Sequence, residues 1–287
     1  MISNKNIDRE VFLDLYELLN KRDWISELFQ ELMNLWDLCD TREQHKLLKE
    51  LILNIEVLDS NGSRKACRAI DRQVKDWGLE PSKTFFVAVA DPGKTDGSLV
   101  GLQQLELEIQ PIEEWESRFI SHIPDSMDQL KSGNSIVFFD DFIGSGNKMV
   151  RKFNWFCDEL AKKCAHIELS SLNIYFVSFA GMAFGIKHIQ DTLGKPVFTE
   201  LTLLKGISER NTGVQLTEKL DEMNRLEAKL ADKYSSRDLQ KYSLGYSKSE
   251  TLYFWEGYSC PNNVFPVFWW PKLKEDKEHR TILKRAN

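Results

Sequence analysis

Two adjacent aspartates, Asp140 and Asp141, stand between an apolar run, Ile136-Val-Phe-Phe139, and a turn of small residues, Gly144-Ser145-Gly146-Asn147. Neighbouring carboxylates repel each other unless a cation or a set of hydroxyls joins them. At the carboxyl end of a strand the pair could accept hydrogen bonds from the two vicinal hydroxyls of a ribose. It could equally attract Mg²⁺, a hard cation that takes carboxylate oxygens. The turn supplies the complementary half. A helical pattern begins at about Lys148, and the first amides of a helix have no partner within it, so with the positive end of the dipole they favour a phosphate. The amides of Ile143, Gly144, Ser145, Gly146 and Asn147, with the Ser145 hydroxyl and the Lys148 ammonium, form a candidate cradle. Gly144 and Gly146 permit positive φ and a close backbone approach. The residues alone leave open a plainer reading, an ordinary strand-turn-helix whose acids cap the turn and face solvent.

The elements that must position this chemistry follow from periodicity. The run before Asp140 reads as a buried strand of a parallel sheet. Thr84 to Ala90 is a second β-rich run, followed by the loop Asp91-Pro92-Gly93-Lys94-Thr95-Asp96-Gly97-Ser98. This loop is not a P-loop, because the first glycine is missing at the required distance. Ser98 to Gln110 could be helix or strand, and 111 to 134 helix plus irregular structure. His122 in that stretch is a candidate acid or base, although a lone histidine is more commonly just hydrogen-bonded. Helix Lys148 to Lys163, strand Leu169 to Phe179, helix Met182 to Leu193 and strand Pro196 to Leu204 complete a βαβαβ alternation. The expected fold class is therefore α/β, a parallel sheet with helices on both faces.

Ahead of the sheet, residues 8 to 80 read as helical, with a capping box at Thr41 and Gln44 and a break at Asn61-Gly62. This lead-in could dock a partner or pack on the sheet domain. Val214 to Tyr242 carries a leucine stripe among charges, which could form a partner surface or a lid and more commonly lies on a core. The segment from Thr251 to Pro271 is aromatic-rich and suggests a structured loop. Within it Asn262 and Asn263 can each donate and accept, which suits a base or a ribose. Residues 272 to 287 are charged and expected to fray. The division expected is a helical region 1–80, an α/β domain 81–271 and a charged tail 272–287.

The chain is 42% hydrophobic and 29% charged over 287 residues, enough to bury a core. A net charge of −6 argues against a broad nucleic-acid surface and leaves direct nucleic-acid binding by a local patch open. Five cysteines without a C-x-x-C pair read as reduced thiols. No apolar run reaches transmembrane length and no signal core opens the sequence, so a cytoplasmic protein without membrane contact is expected.

The stretch 136–148 resembles the ribose-5-phosphate loop of type I phosphoribosyltransferases: apolar strand, two acids, two apolar residues, then a Thr/Ser/Gly-rich turn. Gly144 stands where a threonine is usual, and Lys148 where a threonine or serine closes the loop. The resemblance implies a phosphoribosyl diphosphate or nucleotide ligand with Mg²⁺, and an enzyme of glycosyl transfer or nucleotide hydrolysis. Asp140 and Asp141 are then the catalytic and metal-binding pair and 143–148 the 5′-phosphate site. The 91–98 loop takes the place of the diphosphate loop, with Pro92, Gly93, Lys94, Thr95 and Ser98. With the closing Pro261-Asn262-Asn263 segment, residues 40 to 271 are most similar to phosphoribosyltransferase-like proteins of prokaryotic conflict systems, including retron-type antiphage cassettes. That likeness implies an effector or accessory role beside other defence proteins, a reverse-transcriptase nucleoprotein among them. A catalytically inactive sensor or scaffold subunit is the alternative.

Overall fold

The computed structural model describes residues 9–91, 93 and 96–286. The chain divides into two units, Leu58–Leu204 and the combination of Met1–Val57 with Lys205–Asn287.

The first of these is the sheet unit. It opens with helix α1 (Ser60–Asp76), which buries Ala66, Cys67, Ile70 and Val74 at helical spacing. The expected break at Asn61-Gly62 does not occur. Asp59 caps the helix by accepting from the Gly62 amide at 2.6 Å, which places both residues in the first turn, where a cap bond offsets the low propensity of glycine. Five strands follow: β1 (Thr84–Ala88), β2 (Phe119–Ile120), β3 (Ser135–Ile143), β4 (Asn173–Met182) and β5 (Val197–Leu203). They lie in the order β2-β1-β3-β4-β5, and every pair is parallel. The intervening helices are α2 (Gly97–Glu108), α3 (Asn147–Lys163) and α4 (Ala183–Leu193). This is the expected α/β class, a parallel sheet with helices on both faces.

Side chains alternate across β3, so each face has its own core. Phe138 meets Phe153 and Phe156 of α3, edge-on at 6.2 and 5.3 Å. Phe139 turns the other way, towards Phe179, and a Cβ at Gly101 of α2 would lie 2.7 Å from its ring. After β1 the chain passes to β2 on one side, then returns to β3 on the other. The β1/β3 boundary is thus a topological switch point, where the loops leaving the two carboxyl ends diverge.

The other unit is assembled from both ends of the chain. One hydrophobic core joins Leu18, Ile25, Leu32 and Leu48 to Ile207, Leu226, Phe265, Phe268, Trp270, Ile282 and Leu283. Thr41 caps helix Arg42–Leu53 by accepting from the Gln44 amide, and the Gln44 side chain in return accepts from the Asp40 amide at 2.7 Å, one residue before the cap. The leucine-striped helix runs only from Gly213 to Glu227, shorter than the expected 214–242. The buried Glu227 carboxylate accepts from the Leu244 amide at 3.0 Å, drawing the chain back, and residues Lys233–Tyr234 pair with Arg237–Asp238 instead. The described residues of the tail, 272–286, are packed and not frayed. Ile282 and Leu283 are buried, and the Leu283 amide donates to the Phe268 carbonyl at 2.9 Å. No helix among the described residues is long and apolar enough to cross a membrane.

Candidate functional site

Asp140 and Asp141 lie near the carboxyl end of β3, just past the last residue that pairs with β1, and the alternation that separates Phe138 from Phe139 also separates them. Asp140 is directed to the α3 side, where its Oδ1 accepts from the Lys148 ammonium at 2.9 Å. Asp141 is directed to the α2 side, where its carboxylate lies against Gly97. A Cβ at Gly97 would stand 2.4 Å from Asp141 Oδ2, so the absence of a side chain there makes room for the acid. A third carboxylate arrives from the loop after β1. Asp96 caps α2, its Oδ1 accepting from the Ser98 amide at 3.0 Å and the Ser98 hydroxyl at 2.8 Å. One oxygen from each of Asp96, Asp140 and Asp141 can be chosen so that all three lie within 4.8 Å of one another.

Two lysines one turn apart on α3 tie these loops together. Lys148 Nζ donates to both Asp96 oxygens at 3.0 Å as well as to Asp140. Lys152, with only 3% of its side chain exposed, donates to the Ala90 carbonyl at 2.9 Å and to Asp91 at 2.6 Å. It thereby pins the loop as it leaves β1.

The turn between β3 and α3 has the conformation its glycines allow. Gly146 takes φ 82° and caps the 17-residue helix without a side chain. The first helical bond runs from the Val150 amide to the Gly146 carbonyl at 3.1 Å, so the amides of Asn147, Lys148 and Met149 precede the ladder. Ser145 Oγ accepts from the Asn147 amide at 3.5 Å. The turn rests on α4: a Cβ on Gly185 would fall 2.0 Å from the Gly144 carbonyl oxygen, and one on Gly146 would fall 2.6 Å from the Gly185 carbonyl oxygen. The Ile143 side chain is buried, and its backbone is the last of β3, opposite Gly181 of β4.

A family model described as PRTase-CE matches residues 22–285. The chain belongs to the PRTase-CE family. Its fold is accordingly phosphoribosyltransferase-like. Among solved structures, one of a hypothetical protein from Neisseria gonorrhoeae with bound ppGpp is 13% identical, with 52% of this chain and 85% of that one covered at a TM-score of 0.32. The xanthine-guanine-hypoxanthine phosphoribosyltransferase of Helicobacter pylori is 12% identical over 52% of this chain and 89% of its own, at 0.33. The AQ2163 protein of Aquifex aeolicus is 11% identical over 61% and 84%, at 0.32. None of the curated proteins matches.

In this PRTase-CE chain the electrostatics of the cluster are set by burial. Burial pushes the Asp140 carboxyl well above the ordinary aspartate value; Lys148 pulls it down, while Asp141 and Asp96 push it further up. Asp141 is raised for the same first reason, against the pull of Lys148. Asp96 is also penalised by burial, but Lys148 and the Ser98 amide hold it below the ordinary value. Burial alone would lower the Lys148 ammonium; Asp140, Asp96 and Asp141 reverse this and keep it protonated. Three carboxylates facing one ammonium leave surplus negative charge in a largely buried place. The arrangement therefore favours uptake of either a proton or a further cation. Carboxylate oxygens at this spacing are the hard donors that a divalent cation takes, and Asp96, Asp140 and Asp141 are the residues that could coordinate it.

The other expected site residues are distributed as follows. Pro92, Lys94 and Thr95 lie outside the described residues. Gly93 has φ 74° and is exposed. Ser98 is fully buried, with its hydroxyl on Asp96. Asn262 and Asn263 belong to the other unit, where the Asn263 amide donates to the Tyr246 carbonyl at 3.2 Å and to Ser249 Oγ at 3.1 Å. His122 precedes the short helix Ile123–Ser126, and its Nδ1 is buried without a hydrogen-bond partner. Asp96 and Lys152 were not foreseen. Their signals were in plain view: an aspartate two residues before Ser98 in a capping pattern, and a lysine four residues after Lys148, hence on the same helical face.

Proposed function

We propose that this protein binds a phosphoribosyl compound, phosphoribosyl diphosphate or a nucleotide, with Mg²⁺, and transfers or hydrolyses at the anomeric carbon. The observation that carries this reading is one constellation. An acidic pair lies near the carboxyl end of β3 at the switch point, a third carboxylate joins it from the β1 loop, and a positive-φ glycine turn opens a long helix behind it. Asp140 and Asp141 are the residues for the ribose hydroxyls. The amides of Ile143 to Asn147, with Ser145, are those for the 5′-phosphate. The 91–98 loop, with Pro92, Gly93, Lys94, Thr95 and Ser98, is the element for the diphosphate.

Loss of diphosphate leaves oxocarbenium character on the sugar. The protein's contribution is to hold the ring by its hydroxyls and phosphate and to present fixed dipoles to the developing charge. Mg²⁺, when bound, would supply positive charge to the leaving diphosphate. Family membership supports the ligand class. The resemblance to conflict-system proteins supports a role as an antiphage-defence effector or accessory subunit working with other proteins, retron components among the candidates.

A second reading, a nucleotide sensor without turnover, draws on two observations: the position a threonine usually fills is Gly144, and Lys148 is directed to Asp96 and Asp140. Purified protein with phosphoribosyl diphosphate and Mg²⁺ separates the two readings. Release of diphosphate or base is expected for the enzyme, and a thermal shift without products for the sensor. Ligand affinity unchanged in Asp140→Asn/Asp141→Asn would remove both.

A further inference from the structure

The lysine at the head of α3 stands where a cation is out of place. Lys148 is the second residue of a 17-residue helix, next to the positive end of its dipole, where an ammonium is disfavoured. Three hydrogen bonds to two carboxylates of the triad hold it there. An ammonium seated on these oxygens competes with a divalent cation for the same lone pairs, and the two positive charges repel more strongly in a buried setting than in water.

We propose, resting on the reading of Asp96, Asp140 and Asp141 as a divalent-cation site, that Lys148 is a tethered counter-ion. It neutralises the triad until a divalent cation arrives, then turns to the anionic group of the ligand at the same helix terminus. The carboxylates are built to stay while the lysine leaves. Asp96 is fixed by two bonds from Ser98, and Asp140 Oδ1 also accepts from the Asp141 amide at 3.1 Å. Lys148 keeps 34% of its side chain exposed against 3% for Lys152, so of the two lysines in the first turns of α3 it is the one with room to swing. Displacement by the cation delivers a positive charge to the place where the phosphate sits. Cation and phosphate then bind cooperatively through one side chain, and the coupling is reciprocal.

The test is calorimetric titration with Mn²⁺ at fixed pH, with and without ribose 5-phosphate, on the full chain. Lys148→Met is expected to bind Mn²⁺ alone at least about tenfold more tightly than wild type, because no tethered cation competes. Ribose 5-phosphate should raise Mn²⁺ affinity in wild type and change it little in the variant. Lys148→Arg, which keeps the charge, should restore the competition. Should Lys148→Met fail to fold, Lys148→Gln takes its place with the same expected direction. Equal or weaker Mn²⁺ binding in the variant, while Asp141→Asn abolishes binding, overturns the tethered counter-ion and leaves the cation site standing. Absence of Mn²⁺ binding in every form overturns both.

Discussion

At the residue scale, the cluster at the end of β3 exchanges stability for ligand capacity. Asp140 is raised above its unfolded value by burial and by two neighbouring acids, so the folded state holds a proton that the unfolded state releases. Between the ordinary aspartate value and the raised one the native chain binds more protons. Metal-free stability therefore falls as pH climbs through that window. Asp140→Asn is expected to flatten this decline and to melt at a higher temperature than wild type at pH 7 in chelator, while losing divalent-cation affinity by about tenfold or more, ~1.4 kcal/mol. Thermal melts over a pH series and a metal titration check the two halves separately. In the other unit Glu227 presents the same sign. Burial pushes it up to about 7 against the pull of Ser243 and the Leu244 amide, so its contribution to stability is lost as pH rises from the ordinary glutamate value through about 7. Glu227→Gln should gain on wild type above pH 7 by roughly 1–3 kcal/mol in urea unfolding, and show no advantage at pH 4. An advantage that does not change with pH would assign the effect to packing.

At the element scale, two glycines set how closely helices approach the site. Gly97 admits the Asp141 carboxylate, and Gly185 admits the Gly144–Gly146 turn. The contacts differ in kind. At Gly97 an added methyl meets a side-chain carboxylate that can turn away; at Gly185 it meets a backbone carbonyl 2.0 Å off, which cannot. Gly97→Ala is expected to keep the fold and to weaken cation binding by displacing Asp141. Gly185→Ala should cost about 1–3 kcal/mol by overpacking and weaken binding of ribose 5-phosphate more than that of Mn²⁺. Paired titrations with the two probes distinguish them, and equal losses in both variants would show that turn and triad move as one. The sequence displayed the strand and the helix on either side of this site, because apolar runs and helical spacing are local. It did not display Gly97 or Gly185 as contacts. Nothing near either residue in the chain reveals what lies across from it.

At the scale of the whole molecule, the unit outside the sheet depends on its last residues. Leu283 is buried, and its amide is bonded to Phe268, in a core that also holds Leu18 and Leu48. Leu283→Ala is expected to destabilise by about 2–5 kcal/mol, measured by chemical denaturation, whereas a frayed tail would show no effect. The same contrast separates what each level of description could reach. The amino-acid sequence by itself determined the α/β alternation, the parallel strand that carries Asp140 and Asp141 near its carboxyl end, and the glycine turn that opens α3. These follow from period, propensity and turn chemistry within a dozen residues. Only the tertiary structure decided that Asp96 joins the pair, that Lys148 lies among the three acids, and that the chain's two ends share one core. Those are distances between residues far apart in the chain, set by strand order and by which face each side chain takes, and no local pattern encodes them.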